Sequence, residues 1–229
     1  MTIPIKIISR MQYLENNAKP NQEQIWDVIA KPWRTYVQKK IPLVVEFLKN
    51  KRGKIIDLGC GSGRNMIKNK EIEYYGLDFS KKQIENAALL TAVEDINVLL
   101  FQSAVDKLDK DTFKDEMFDH GLFMATLHCL ETEQERLNSL KELYRILKNG
   151  AQAMISVWSS DDKRFKGLKG DIYMSWREEN VPYMRSYYLY DKQELIDLLK
   201  SVGFEILQFY ESLTDDRFSR KNWILRIKK

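Results

Sequence analysis

Histidine and cysteine are scarce in this chain: His120, His128, Cys60 and Cys129 are the only ones in 229 residues. No C-x-x-C pair occurs, so the residues argue against a four-ligand zinc site and against a disulfide framework, and two cysteines suit a reducing compartment. Proline is also sparse, with five residues, and there is no internal repeat or low-complexity tract. No apolar run approaches the length of a membrane span, and the N-terminus lacks the apolar stretch of a secretory leader. The expectation is a soluble, cytoplasmic protein. With 44% apolar residues, the chain has enough material for one α/β domain with a full core, and two domains would be a squeeze.

Charge is unevenly spread. Residues 1–54 carry a net +7 and residues 217–229 a net +6, whereas 55–216 carry −9. Basic ends around an acidic centre point to a polyanion such as nucleic acid touching the ends, or to a pair of ordinary solvated tails.

The densest information lies in 54-KIIDLGCGSGRNM-66 and 74-YYGLDFS-80. A β-branched run ends at Asp57 and opens into Gly59, Gly61 and Gly63, which predicts a strand turning over glycines into a helix. Asp78 ends a second apolar strand 21 residues later, the placement of an acid that holds a ribose diol beside the first strand's loop. The spacing is D-x-G-x-G-x-G, with Arg64 standing where a dinucleotide fingerprint needs its last glycine. An acid at position 57 faces an amino group or sulfonium better than a pyrophosphate. At these residues the chain resembles the class I S-adenosylmethionine-dependent methyltransferases. That resemblance implies S-adenosyl-L-methionine as cofactor, held by Asp57, Gly59, Cys60, Gly61, Gly63, Asp78, Phe79 and Ser80.

Apolar periodicity predicts strands at 54–58, 73–78, 97–101, 118–124, 151–158, 204–210 and 221–227. Helices are predicted over 22–30, 34–50 (breaking near Pro42), 81–92, 132–148 and 192–201, with residues 1–20 as a flexible N-terminal segment. Asn149-Gly150 reads as a helix stop. The fold class is α/β: a Rossmann-like, seven-stranded, mostly parallel sheet with helices on both faces, forming a single domain over 21–229. Ligands in such sheets bind at the carboxyl ends of the strands. This nominates Ser103 and Ala104 after the third strand, and Met124 and Ala125 after the fourth, as further cofactor residues. His128 follows at the mouth of the site, either as a functional group or as a capping or partly buried histidine.

The stretch 159–190 is the least regular, yet it holds seven aromatics and nearly balanced charge. Disordered linkers are poor in aromatics, so it reads as a folded substrate lid inserted in the domain, or else as a β-extension of the core. Aromatic faces interspersed with arginine suit an unstacked base.

Several segments together resemble one branch of these enzymes, the tRNA wobble-uridine methyltransferases that esterify 5-carboxymethyluridine. They are 57-DLGCGSGRN-65, 123-FMATLHCL-130, 133-EQERLNSLKELYRILKNGAQAMISVW-158, 185-RSYYLYDKQEL-195 and 222-NW-223. The resemblance implies His128, Arg185 and Tyr188 as catalytic residues, and Arg34, Trp158, Trp176 and Tyr187 as substrate contacts. It also implies a tRNA anticodon substrate and a small zinc-binding activator protein paired with the sheet edge at strand three. The chain departs from the branch at His128-Cys129, where two histidines are usual, and at Arg185-Ser186-Tyr187-Tyr188, which lacks a closing histidine. Gly150-Ala151 replaces a Gly-Gly, and Val37 stands where an arginine is expected, leaving Arg34, Lys39 or Lys40 to replace it. A carboxylate acceptor would need no general base; a nitrogen or hydroxyl acceptor would want His128 as one. A small-molecule methyltransferase, or a binding subunit that has lost catalysis, are the other readings of the same residues.

Overall fold

The computed structural model describes residues 6–37, 39–165, 167–178, 181–213 and 221–229. Arg217 and Arg220 of the basic C-terminal run lie outside them, as do residues 1–5 and residues 166, 179 and 180 of the expected lid.

Strands β1 (Ile7–Ser9), β2 (Gly53–Leu58), β3 (Ile72–Asp78), β4 (Val98–Gln102), β5 (Phe118–Met124), β6 (Leu147–Trp158), β7 (Gly170–Glu178), β8 (Val181–Leu189), β9 (Glu205–Leu213) and β10 (Lys221–Lys228) form two sheets. The larger has seven strands in the order β4-β3-β2-β5-β6-β10-β9. Pairing is parallel from β4 to β6, while β10 runs antiparallel to both β6 and β9. This is the Rossmann-like sheet that the alternation of elements requires. The helices are α1 (Arg10–Leu14), which packs on β7, and α2 (Gln22–Tyr36), α3 (Pro42–Leu48), α4 (Lys81–Val93), α5 (Glu133–Ile146) and α6 (Lys192–Val202).

Strand alternation sends neighbouring side chains to opposite faces, each with its own core. Ile56, Phe123 and Ile155 join Leu140, Leu143 and Leu195 of α5 and α6 on one face. Ile55, Leu122, Met124 and Met154 join Val44 and Leu48 of α3 on the other.

Local chemistry explains the helix ends. Thr132 and Glu135 form a reciprocal capping box at the start of α5, as Asp191 and Glu194 do for α6, each worth about 1 kcal/mol. Pro42 opens α3 at the position where a missing N–H costs nothing. Pro32 lies inside one continuous α2, so the expected division of this region at 30–34 falls instead at 37–41. α5 ends at Ile146, and Asn149-Gly150 is not its stop. Gly150, at φ +81°, lies in an irregular stretch of β6 and donates to the Lys229 carbonyl at 2.9 Å.

Three departures from the sequence reading matter for the site. No helix follows the glycine loop: residues 59–71 are a chain of turns, closed by Gly63 N–H to Cys60 O and Met66 N–H to Gly63 O. The segment 1–20 is not irregular throughout, since β1 adds to β7 in antiparallel register (Ile7 opposite Met174) and Ser9 caps α1. The 159–190 stretch is largely the β7–β8 hairpin, which with β1 makes the three-stranded second sheet.

Candidate active site at the carboxyl ends of β2, β3 and β5

Asp57, next to last in β2, is almost fully buried, and its Oδ2 has no protein hydrogen-bond partner. Burial, then the neighbouring Asp78 carboxylate, pushes its pKa up to about 8, with Arg64 pulling the other way. Asp78 is also raised, to about 6, by burial, against the backbone hydrogen bonds it accepts. Its Oδ2 accepts from Gly61 N–H and its Oδ1 from Ser80 N–H, both at 2.9 Å. The acid expected to hold a diol therefore also ties the glycine loop to the end of β3. Gly59, Gly61 and Gly63 all have positive φ. At Gly59 a Cβ would lie 2.3 Å from the Thr126 side chain, whose hydroxyl donates to the Gly59 carbonyl, so this glycine is required by close packing. Cys60 is a small buried residue of the loop, and its thiol is pushed up by burial.

A cleft of about 440 Å³ opens beside this loop, in the usual range for small-molecule sites. Gly59, Asp78, Phe79 and Ala104 line one wall, and Thr126 and Cys129 line another. Ser80 is wholly buried. It caps α4 by accepting from Gln83 N–H, and its hydroxyl donates to Asp27 of α2 at 2.6 Å. The Ser103 hydroxyl donates to the Ala104 carbonyl at 3.4 Å, and Ser103 N–H to the Asp78 carbonyl. Met124 turns into the core below the sheet rather than toward the cleft, because strand alternation puts it with Leu122. Ala125 takes φ +56° and donates its N–H to Ser156, a strained corner that aims Thr126 at the loop.

Sequence reasoning missed Thr126, Asp106 and the closing wall of Lys19, Pro20, Asn21, Gln22 and Glu23. The last had no local signal, since neither a flexible segment nor the start of a helix shows which distant strands it will pack against. Asp106 stands four residues beyond the end of β4, past the Ser103 and Ala104 that were nominated.

The orphaned, buried Asp57 carboxylate and the open backbone of the glycine loop fit a cofactor carrying an ammonium group and a ribose. Asp57, Gly59, Gly61, Asp78 and Phe79 are the residues that would hold it.

The second half of the site is aromatic. Arg185 on β8 is 3% exposed, and its guanidinium sits 5.2–5.9 Å from the ring centroids of Trp26, Trp33, Trp176 and Tyr187. Its Nε and Nη1 have no partner, and among the described residues no carboxylate pairs with it. Tyr187 stacks on Trp158 at 4.2 Å, and His128 packs against both. Cys129 lies between the halves, close enough to feel the charges of both Arg185 and Asp78, and burial lifts its thiol to about 12.

Two expected catalytic residues stand differently from the sequence reading. His128 is 1% exposed, and burial, reinforced by Arg164, lowers its pKa to about 3, so it is a neutral member of the aromatic stack rather than a group at the mouth. Tyr188 alternates to the opposite face of β8 from Arg185 and Tyr187. There its hydroxyl donates to Glu194 and its ring lies 4.0 Å from the Arg136 guanidinium. Trp176 lies beside the Arg185 guanidinium and Trp158 stacks on Tyr187, whereas Arg34 is exposed and reaches Asn86 on α4. Lys40 is occupied by the Met66 carbonyl and Glu94.

A family model described as "Methyltransferase domain" matches residues 33–209. A tRNA (carboxymethyluridine(34)-5-O)-methyltransferase from Schizosaccharomyces pombe is 26% identical over 227 residues, covering 87% of this chain and 92% of that protein. The human probable tRNA methyltransferase 9B is 28% identical over 72% of this chain, which spans 33% of the human protein's length. In fold, the chain is similar to the Burkholderia thailandensis 1,6-didemethyltoxoflavin-N1-methyltransferase, solved with S-adenosylhomocysteine. That match has a TM-score of 0.67 at 15% identity and covers 93% of this chain and 92% of that one. Among the described residues, no helix is long and apolar enough to cross a membrane.

Proposed function

Because the chain belongs to the methyltransferase-domain family and is an S-adenosylmethionine-dependent methyltransferase, we propose that its acceptor is the carboxylate of 5-carboxymethyluridine at the wobble position of tRNA. The names carried by its relatives support this reading, and one observation carries it: a buried arginine with unpaired donors stands where no protein acid answers it.

An unpaired buried charge is costly and calls for an anion, and a guanidinium suits a planar carboxylate. A carboxylate oxygen is already nucleophilic, so the site needs no general base. That agrees with a His128 whose pKa is far below the working range. The cofactor supplies an electrophilic methyl group on a sulfonium. The protein's part is to hold the acceptor oxygen in line and to keep water out. Arg185 orients the carboxylate without an excess of hydrogen bonds, since tight ground-state binding of the anion would oppose a reaction that neutralises it. Trp33 and Trp176, only partly buried, offer ring faces for the nucleobase, and the basic N-terminal region meets the tRNA backbone.

A small zinc-binding activator at the β4 edge completes the proposal. β4 is an outer strand of the large sheet, and Leu99 on it is exposed together with Leu89 and Val93 of α4. An apolar strip along an unpaired strand edge suits addition of a partner's strand.

The test is transfer of labelled methyl from S-adenosylmethionine to bulk tRNA, with and without the activator, followed by mild alkali. Alkali-labile label is the expected ester. Alkali-stable label would mean methylation on nitrogen, carbon or ribose, and no label with cofactor binding intact would point to a small-molecule acceptor.

A further inference from the structure

β8 is the outer strand of the small sheet, paired with β7 on one side only. On its other side, the backbone groups flanking Arg185 are both taken by one side chain. Gln22 donates its Nε2 to the Met184 carbonyl at 3.1 Å and accepts the Ser186 N–H on its Oε1 at 2.9 Å. The carboxamide thus stands in for a neighbouring strand, with a donor and an acceptor in the spacing that residues 184 and 186 present. Gln22 is the first residue of α2 and buried, and it lines the cleft wall with Asp78 and Phe79. Its helix supplies two of the four rings around the guanidinium, Trp26 and Trp33. The same helix is fixed to the cofactor side through Asp27, which accepts from the Ser80 hydroxyl and from Lys82 N–H.

Arg185 itself has no side-chain hydrogen bond at Nε or Nη1, so its place among the rings depends on where the β8 backbone sits relative to α2. Ring contacts are soft in direction, whereas two hydrogen bonds to one amide fix both register and distance. We propose that Gln22 is a positioning residue for Arg185: it clips β8 to α2 and so sets the guanidinium at the distance from the cofactor cleft that methyl transfer needs. This rests on the proposed role of Arg185 toward an acceptor carboxylate. Displacement of such a contact by about 1 Å costs up to a hundredfold in rate.

Two variants of the full chain test it. Gln22→Leu keeps the bulk and removes both bonds; Gln22→Glu keeps the acceptor for Ser186 and loses the donor to Met184. The first readout is the Arg185 Nε–H signal in a nitrogen-15 spectrum, assigned with Arg185→Lys and shifted by four surrounding rings. The second is methyl transfer to tRNA beside calorimetric S-adenosylmethionine affinity. In both variants the Arg185 signal should move toward that of a free arginine and kcat should fall roughly tenfold or more, well beyond any change in cofactor affinity. An Arg185 signal that stays in place in both variants overturns the proposal, as does a kcat loss matched by equal loss of cofactor affinity. A wild-type protein that binds cofactor but labels no tRNA refutes the acceptor reading alone, and the spectrum still decides the role of Gln22.

Discussion

Tyr187 and Trp158 stack with ring centroids 4.2 Å apart, and His128 lies against both at 5.0–5.6 Å. One ring comes from β8, one from the end of β6 and the third from the turn after β5. The stack is the joint between the small sheet and the carboxyl ends of the large one.

His128 is accordingly expected to act through packing. His128→Phe should retain methyl transfer within about threefold, whereas His128→Ala should cost on the order of 2–4 kcal/mol by leaving a cavity. The native pKa of about 3 lies below the unfolded value near 6.5, so between them the unfolded chain binds the extra proton. The stability tied to a neutral His128 is present above pH 6.5 and is lost as pH falls toward 3. Melting curves from pH 7 to 4 should therefore be flatter for His128→Phe than for the wild type.

Asp57 behaves in the opposite sense. Its native pKa of about 8 lies above the unfolded value, so the native state holds the proton through that interval and stability declines as pH rises across it. Asp57→Asn should raise the melting temperature of the cofactor-free protein at pH 8 while weakening S-adenosylmethionine binding by about tenfold or more. Binding of a cationic amino group to Asp57 should release a proton, tightening as pH approaches 8. Calorimetry in buffers of different ionisation enthalpy measures this directly.

Arg185→Met removes an unpaired buried cation, so the folded state should survive with unchanged or higher melting temperature. Methyl transfer should drop by about a hundredfold. Arg185→Lys should recover little, because an ammonium cannot offer the planar fork.

Tyr188→Phe removes the hydroxyl that donates to Glu194 on the far face of β8. A loss of about 1 kcal/mol in urea unfolding with kcat unchanged is expected. A large fall in kcat with normal stability would return Tyr188 to the active site.

At the sheet edge, Val93→Glu with Leu99→Lys places charge on the exposed strip beside β4. Co-purification of the activator should be lost, while the cofactor affinity of the isolated chain stays the same.

Much of this architecture was legible in the sequence because period-2 and period-3.6 patterns are local. The strands of the large sheet fall within a few residues of expectation, Gly59 and Asp78 line one cleft, and Asp57 lies near enough to feel the Asp78 charge. What the sequence concealed depends on non-local partners. β1 is a strand only because β7 offers it an edge, and Gln22 matters only because β8 has a free one. The turns over 59–71 replaced an expected helix because three glycines of this stretch take positive φ and Ser62 and Asn65 are buried polar groups, with no apolar stripe to bury. Tyr188 was grouped with Arg185 through the resemblance, while an extended strand separates positions of odd and even offset onto opposite faces.

A buried Arg185 with unpaired donors calls for a carboxylate on the acceptor. The most direct measurement compares initial rates at saturating S-adenosylmethionine on two otherwise identical tRNAs, one with 5-carboxymethyluridine at the wobble position and one with plain uridine. Methyl transfer confined to the carboxymethyl tRNA is the predicted result. Equal transfer to both would contradict the account.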